Sequence, residues 1–294
     1  MNKLIIEVRV NEYRSRKRNP HVPLSAQEIA VDAAECREAG AAIVHFHARK
    51  AGGGPDHAPQ AQAECVRAIR AHSDILVHPT LGFSTANGDA SARIAPILAL
   101  AEDPTTRPDF VPFDMGSVNI DWYDARKRDF ASRGKIYANG TDTLEHFART
   151  TAAHGLTPCA VVWNVSFMRQ ALAFIDMGLL SEPTFMCFCL TDGGILAGHP
   201  ATPAGLQAHL AFLPKDRHIE WAVCAVGASL LPMTETIIRG GGHVSIGLGD
   251  HAFEELGQPS NADIVRLVAE QARSLGRDVA NPSQARAMLG ACRA

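Results

Sequence analysis

The chain has 294 residues, 46% of them hydrophobic and 20% charged, with a formal net charge of −3. That balance describes an ordinary soluble globular protein with material for a large core, and it leaves no basic face for nucleic acid. The longest apolar runs, such as Cys159 to Trp163 and Phe185 to Leu190, fall far short of the roughly 20 residues that span a bilayer, so no membrane partner is expected.

Met1-Asn2-Lys3 leads directly into a strand-like run, without signal-peptide architecture, and a cytoplasmic location is expected. Seven cysteines are scattered over Cys36, Cys65, Cys159, Cys187, Cys189, Cys224 and Cys292 with no Cys-x-x-Cys pair. They read as buried thiols of a reducing compartment rather than disulfides or zinc ligands.

In chain order, Leu4 to Val10 is a β-rich run, followed by Asn11-Glu12-Tyr13 and a basic stretch from Arg14 to Arg18. Beside an active site, such a stretch could hold an anionic substrate. Ser25-Ala-Gln-Glu28 is a capping box, and Ile29, Ala33, Cys36 and Ala39-Gly40 give its helix an apolar stripe and a stop. Strands then read at Ile43 to His47, Ile75 to Pro79, Phe110 to Asp114, Cys159 to Trp163, Thr184 to Leu190, Ile219 to Val223 and Val244 to Gly247. The segments between them read as helices at Pro59 to Ala71, Ala90 to Ala101, Asp121 to Ser132, Thr143 to His154, Ser166 to Met177, Pro203 to Phe212 and Pro232 to Ile238, with two more closing the chain. Eight strands alternating with helices imply parallel pairing, and eight such units close a (β/α)8 TIM barrel. No glycine-rich fingerprint follows the first strand, which disfavours a doubly wound sheet. No linker divides the chain, so residues 1–294 are expected to form one barrel domain.

The stretch Ala41-Ala-Ile-Val-His-Phe-His-Ala-Arg49 carries two histidines one residue apart. On a strand His45 and His47 share a face, with Cα atoms about 6.6–7 Å apart, so both imidazoles can reach one ion. In a TIM barrel the active site lies at the C-terminal strand ends. Those ends carry Asn11 and Glu12, His78 and Thr80, Asp114, Ser117 and Asn119, Asn164, Thr191 and Asp192, and Ser245, Asp250 and His251. A divalent metal on the histidine pair could polarise a carbonyl, with Glu12 or Asp250 as base and the Thr80 hydroxyl donating to an oxyanion. Carbon–carbon cleavage, proton abstraction beside a carbonyl and hydrolysis by metal-bound water all fit that description.

The sequence resembles the β-keto acid cleavage enzyme family over nearly its whole length. The motifs that carry the resemblance are Asn19-Pro-His-Val-Pro23, Glu38-Ala-Gly40, Ile43 to Arg49, Asp114-Met-Gly-Ser-Val-Asn119, Trp221-Ala-Val223, Gly241-Gly-His243 and Asn281-Pro-Ser-Gln-Ala-Arg286. The resemblance implies a zinc-bearing TIM barrel, usually a homotetramer, that transfers the acyl part of a β-keto acid onto the CoA of acetyl-CoA and releases acetoacetate. It implies that His45 and His47 bind zinc, that Asp250 is the catalytic aspartate, and that Glu12 lies at or beside the family's glutamate after the first strand.

The sequence also departs from the pattern. The family's arginine and zinc-binding glutamate after Gly-Gly-His fall on Ser245 and Gly249, its strand-three serine on Thr80, its strand-four threonine on Pro112, and a later arginine on Ala228. His78 is therefore the candidate third metal ligand, with His251 and Glu12 behind it, and Arg49, Arg14 or Arg16 could supply the missing cation. The expected protein is a zinc-dependent enzyme acting on a β-keto acid with acetyl-CoA. Glu12, Thr80 and Asp250 are its catalytic candidates, and Asn11, Arg49, Ser117, Asn119 and Ser245 its substrate-binding ones. A metal-dependent hydrolase and a non-catalytic ligand-binding relative are the competing readings.

Overall fold

Runs rich in Ile, Val and Phe supply the strands of the chain, whose computed structural model describes residues 2–82 and 89–291. The strands are Ile6–Arg9 (β1), Ile43–Phe46 (β2), Leu76–Pro79 (β3), Phe110–Asp114 (β4), Thr157–Val162 (β5), Thr184–Thr191 (β6), Ile219–Val226 (β7) and His243–Ile246 (β8). Between and after them lie helices Ala26–Ala39 (α1), Pro59–His72 (α2), Ala90–Ala101 (α3), Thr141–Ala153 (α4), Val165–Asp176 (α5), Pro203–Leu210 (α6), Thr234–Arg239 (α7), Asn261–Ser274 (α8) and Pro282–Met288 (α9). The predicted elements match these within a few residues, and the Ser25 capping box starts α1.

The eight strands form one parallel sheet in the order β3-β2-β1-β8-β7-β6-β5-β4, with β1 hydrogen-bonded to both β2 and β8. This is the TIM barrel that the alternation predicts. The remaining seam, between β3 and β4, lacks a full ladder because Pro79 and Pro112 each remove a donor. Asp109 takes over there. Its backbone N–H donates to the Val77 carbonyl at 2.9 Å, and its carboxylate accepts from the Val77 N–H at 2.7 Å. Arg286 from α9 holds the same carboxylate, tying the C-terminal helix to the seam.

One predicted helix is absent. In place of a helix over 121–132, residues 118–137 form two small antiparallel ribbons, Val118–Asn119 with Ile136–Tyr137 and Tyr123–Asp124 with Asp129–Phe130. Local polar groups outcompete the helix here. The Asp121 carboxylate accepts from Ser132 Oγ and Gly134 N, Asp124 accepts from the N–H groups of Arg126 and Lys127, and Arg128 adopts a positive φ of 52°. Among the described residues, no helix is long and apolar enough to cross a membrane. The six described cysteines are free and buried, and Cys292 lies outside the described residues.

The active end of the barrel is stitched by Asn261 at the start of α8. Its amide donates to Val10 O at 3.1 Å and to Asp32 Oδ2 at 2.7 Å, and its carbonyl accepts from Leu248 N at 2.8 Å. Burial pushes the Asp32 carboxyl up from 3.8 to about 7, against the Asn261 hydrogen bond. A carboxyl with a raised folded-state pKa destabilises the fold as pH rises from its unfolded value through the folded one. Asp32→Asn therefore raises Tm by several degrees at pH 8 and changes it little near pH 4, as scanning calorimetry at the two pH values will read. A shift independent of pH would contradict this assignment.

Candidate active site

The end of β1 and the end of β2 meet through a reciprocal pair of hydrogen bonds. Asn11 Oδ1 accepts from His47 N and Asn11 Nδ2 donates to His47 O, both at 2.9 Å. Glu12 follows with a positive φ of 39°, a region costly for a residue with a Cβ. Arg49 pins that turn by donating to the carbonyls of Asn11, Glu12 and Gly53. The result aims the Glu12 carboxylate at both imidazoles. His47 Nε2 lies 2.6 Å from Glu12 Oε2, and His45 Nε2 lies 3.1 Å from Glu12 Oε1.

Behind Glu12, Arg9 is a buried cation shared by two carboxylates. Its guanidinium is 2.6 Å from Glu12 Oε1, and its Nε donates to Asp250 Oδ1 at 3.0 Å. Burial opposes ionisation of Glu12, but the Arg9 guanidinium beside it holds its carboxyl well below the usual range. Burial pushes Asp250 well above it, despite Arg9, and Asp250 Oδ2 is buried with no hydrogen-bond partner among the described residues. Burial lowers His45 to about 4, so that ring is neutral at physiological pH. His45 Nδ1 lies 2.8 Å from the His78 carbonyl, which makes Nδ1 the protonated nitrogen and leaves Nε2 a lone pair facing Glu12.

A second buried chain runs Ser245–Glu7–His78. Ser245 Oγ donates to Glu7 Oε2 at 2.5 Å, and His78 Nδ1 lies 2.7 Å from Glu7 Oε1. Burial opposes ionisation of Glu7 too, but His78 brings its carboxyl down to about 2.

Glu7, Arg9, Glu12, His45, His47 and His78 border a cavity of about 270 Å³ at the C-terminal mouth of the barrel. The rest of its lining includes Asp114, Trp122, Tyr137 and Trp163, with Leu81, Ile195 and Val226. Of the predicted site residues, Glu12, His45, His47, His78 and Thr80 line the cavity, whereas Asp250 is not in its lining and is paired with Arg9, which is. Thr80 Oγ1 accepts from Gly82 N at 3.1 Å, which leaves its O–H available as a donor. The predicted substrate-binding residues are placed otherwise. Asn11 and Arg49 are committed to backbone partners, Ser117 Oγ accepts from Asn139 N, Asn119 Oδ1 accepts from Asp121 N, and Ser245 is bonded to Glu7; none of them lines the cavity. Among the other expected cations, Arg14 lines the cavity while bonding the carbonyls of Gly249 and Asp250, and Arg16 pairs with Glu28.

Glu7 and Arg9 were not among the residues singled out from the sequence. The available signal was two charges, two residues apart, on one face of an otherwise apolar strand, which in a barrel puts both inside. Tyr137 and Trp163 had no comparable signal, since each reads as a core aromatic.

Among the described residues, the group able to hold a metal ion is Glu12, His45 and His47, whose donor atoms lie within 4.8 Å of one another. Two imidazoles and a carboxylate with one open position form a donor set of catalytic zinc sites, in which donors stand about 3.3 Å apart. The residues present fit such an ion. His78 stands outside the group: its Nδ1 is engaged by Glu7, and its Nε2, buried without a hydrogen-bond partner, is not among the clustered donor atoms. Gly249 explains how Glu12 comes to be inside it. A Cβ at 249 would lie 2.5 Å from Glu12 Cγ, so a side chain there and the Glu12 carboxylate cannot share the space.

The family model for β-keto acid cleavage enzymes matches residues 3–291. The chain is 28% identical over 294 residues to the 3-keto-5-aminohexanoate cleavage enzyme of Acetoanaerobium sticklandii, covering 99% of each chain. It is 28% identical over 290 residues to the 3-oxoadipate:acetyl-CoA acetyltransferase of Cupriavidus necator, covering 97% of this chain and 94% of that one. Among solved structures, apo ObcA superposes with a TM-score of 0.72 at 14% identity, over 92% of this chain and 66% of that one, a likeness of fold.

If Glu12 rather than His78 completes the metal site, protein purified without chelator will carry about one divalent ion per chain. Glu12→Ala and His47→Ala will lose it, and His78→Ala will keep it, as elemental analysis of the three variants will read. Metal retained in Glu12→Ala and lost in His78→Ala would reverse the assignment.

Proposed function

The chain belongs to the β-keto acid cleavage enzyme family, and from that premise we propose that it converts a β-keto acid and acetyl-CoA into acetoacetate and the acyl-CoA of the keto acid's other part. The observation that carries the reading is the juxtaposition, at one barrel mouth, of the Glu12–His45–His47 group with the buried Arg9–Asp250 pair. Zinc, when bound by His45, His47 and Glu12, would supply Lewis-acid polarisation of the keto acid's oxygens.

The chain's own residues do the rest. Asp250 is the proton acceptor for the carbon between carbonyl and carboxylate, because its Oδ2 is free of hydrogen bonds and its raised affinity for protons suits a base that must hold one. Arg9 keeps Asp250 oriented and balances Glu12, so the two carboxylates stand side by side without direct repulsion. The Thr80 hydroxyl donates to oxygen where enolate charge develops. Glu12 moves from candidate base to ligand in this reading, since its two oxygens face the two imidazoles. A homotetrameric assembly and a cytoplasmic location belong to the same reading and are supported by family resemblance alone.

The test is a panel of β-keto acids incubated with acetyl-CoA, with acetoacetate and new acyl-CoA followed by mass spectrometry. We expect both products in equal amounts. His45→Ala should cut the rate at least ~100-fold, and Asp250→Asn should do so with metal content unchanged, as for loss of a general base. Acetoacetate without acyl-CoA, or free CoA in place of acyl-CoA, would point to hydrolysis and sink the proposal.

A further inference from the structure

Three thiols meet on the inner face of the barrel, in a part of the wall that the proposed reaction does not use. Cys187 and Cys189 stand two residues apart on β6, so they share a face, and both line the cavity. Cys224 comes from β7, where the ladder sets it opposite Cys189. All three are free and buried. Cys187 Sγ lies 3.7 Å from Cys224 Sγ, and Cys189 hydrogen-bonds to the same sulfur.

Contact alone does not decide which pair can be bridged. A disulfide needs Cα atoms about 4.4–6.8 Å apart. Neighbouring strands run about 4.8 Å apart, so Cys189 and Cys224, partners in the ladder, fall inside that window. Cys187 is opposite Ala222, and the same spacings put it about 8 Å from Cys224, out of reach without backbone movement. Cys187 serves Cys224 in another way. Hydrogen bonds from Cys187 and Cys189 hold the Cys224 thiol well below its usual range, and the Arg9 guanidinium adds to that pull. The thiolate is the form of cysteine that reacts.

We propose that Cys189 and Cys224 are a peroxide-reactive pair that closes to a disulfide between β6 and β7 and reversibly slows the chemistry in the cavity beside it. Hydrogen peroxide is small and uncharged, so it can follow the cavity to a sulfur that touches its lining. The Cys224 thiolate attacks one peroxide oxygen, the O–O bond breaks, and the hydroxide that leaves takes the Cys189 proton to become water. The Cys189 thiolate then attacks the sulfenic sulfur of Cys224, the S–O bond breaks, and the second hydroxide takes up the proton that Cys224 gave up on ionising. Together the two thiols lose two electrons and two protons, and one peroxide becomes two waters. Closing the contact to a bond of about 2.05 Å draws in Cys189, and a displacement of about 1 Å near a reacting centre can cost ~100-fold in rate. A bond between strands already held by their ladder closes under strain, which keeps it easily reduced.

The test treats the full-length, metal-loaded protein with a graded excess of hydrogen peroxide, blocks the remaining thiols with iodoacetamide and maps the unreduced peptides by mass spectrometry. The expected product is a linked Cys189–Cys224 peptide pair, lighter than its two thiol peptides by two hydrogens and separated again by dithiothreitol. It should be absent from Cys189→Ser and from Cys224→Ser, and should form more slowly in Cys187→Ser, which removes a donor and keeps the pair. A Cys187–Cys224 bridge, or no bridge at peroxide levels that oxidise the exposed Met177, would overturn the proposal. Unmodified protein gives that answer, so it stands even where a variant fails to fold. In the turnover assay, bridged protein should lose at least ~10-fold in rate and regain it with dithiothreitol. An unchanged rate in fully bridged protein would overturn the control of the cavity. The bridge forms or fails whichever keto acid is used, so its failure and that of the family reaction are separate results.

Discussion

The contact on which the site depends is the carboxylate of Glu12 held between two imidazoles and a buried guanidinium. A buried carboxylate without partners would take up a proton, and this one is kept ionised by the Arg9 charge beside it. The same arrangement constrains Arg9, which would be an unpaired cation inside the barrel without Glu12 and Asp250. Removing Arg9 would leave both carboxylates without their shared cation. The backbone accepts a left-handed residue at Glu12 to make this possible, and Arg49 and Asn11 spend their hydrogen bonds holding the turn.

Glycines on the β8 side complete the arrangement by what they omit. A Cβ at Gly247 would lie 2.2 Å from the Arg9 carbonyl, and one at Gly249 would lie 2.5 Å from Glu12 Cγ. The loop after β8 can therefore press against the end of β1, which brings Asp250 within reach of Arg9. In the proposed metal site the carboxylate comes from the end of β1 instead of β8. The charge is supplied from the neighbouring strand, and the space is cleared by the glycine.

The barrel was legible in the sequence because alternation of apolar strands and capped helices is a local pattern that repeats. The helix read over residues 121–132 failed for a local reason of another kind: the side chains of Asp121 and Asp124 bind nearby backbone N–H groups and build turns, which a coarse periodicity does not register. In the site, His45, His47 and Glu12 could be read as candidates from position alone, since strand alternation and strand ends determine who can face the centre. What could not be read was who faces whom. His78 stood ahead of Glu12 as third ligand by position, whereas the donor atoms that cluster are those of Glu12, His45 and His47, and Asn11 and Arg49 looked like substrate contacts until their partners proved to be carbonyls. Polar residues at a loop serve backbone and ligand with the same groups, and only geometry separates the two uses.

The central claim is that Glu12 joins His45 and His47 around one metal ion. The most direct measurement is anomalous diffraction at the zinc edge from crystals of the metal-loaded protein. The account predicts a single strong peak per chain about 2.0–2.2 Å from Nε2 of His45, Nε2 of His47 and an oxygen of Glu12. A peak bonded to His78 with Glu12 turned away, or no peak near the two histidines in protein that contains stoichiometric zinc, would contradict it.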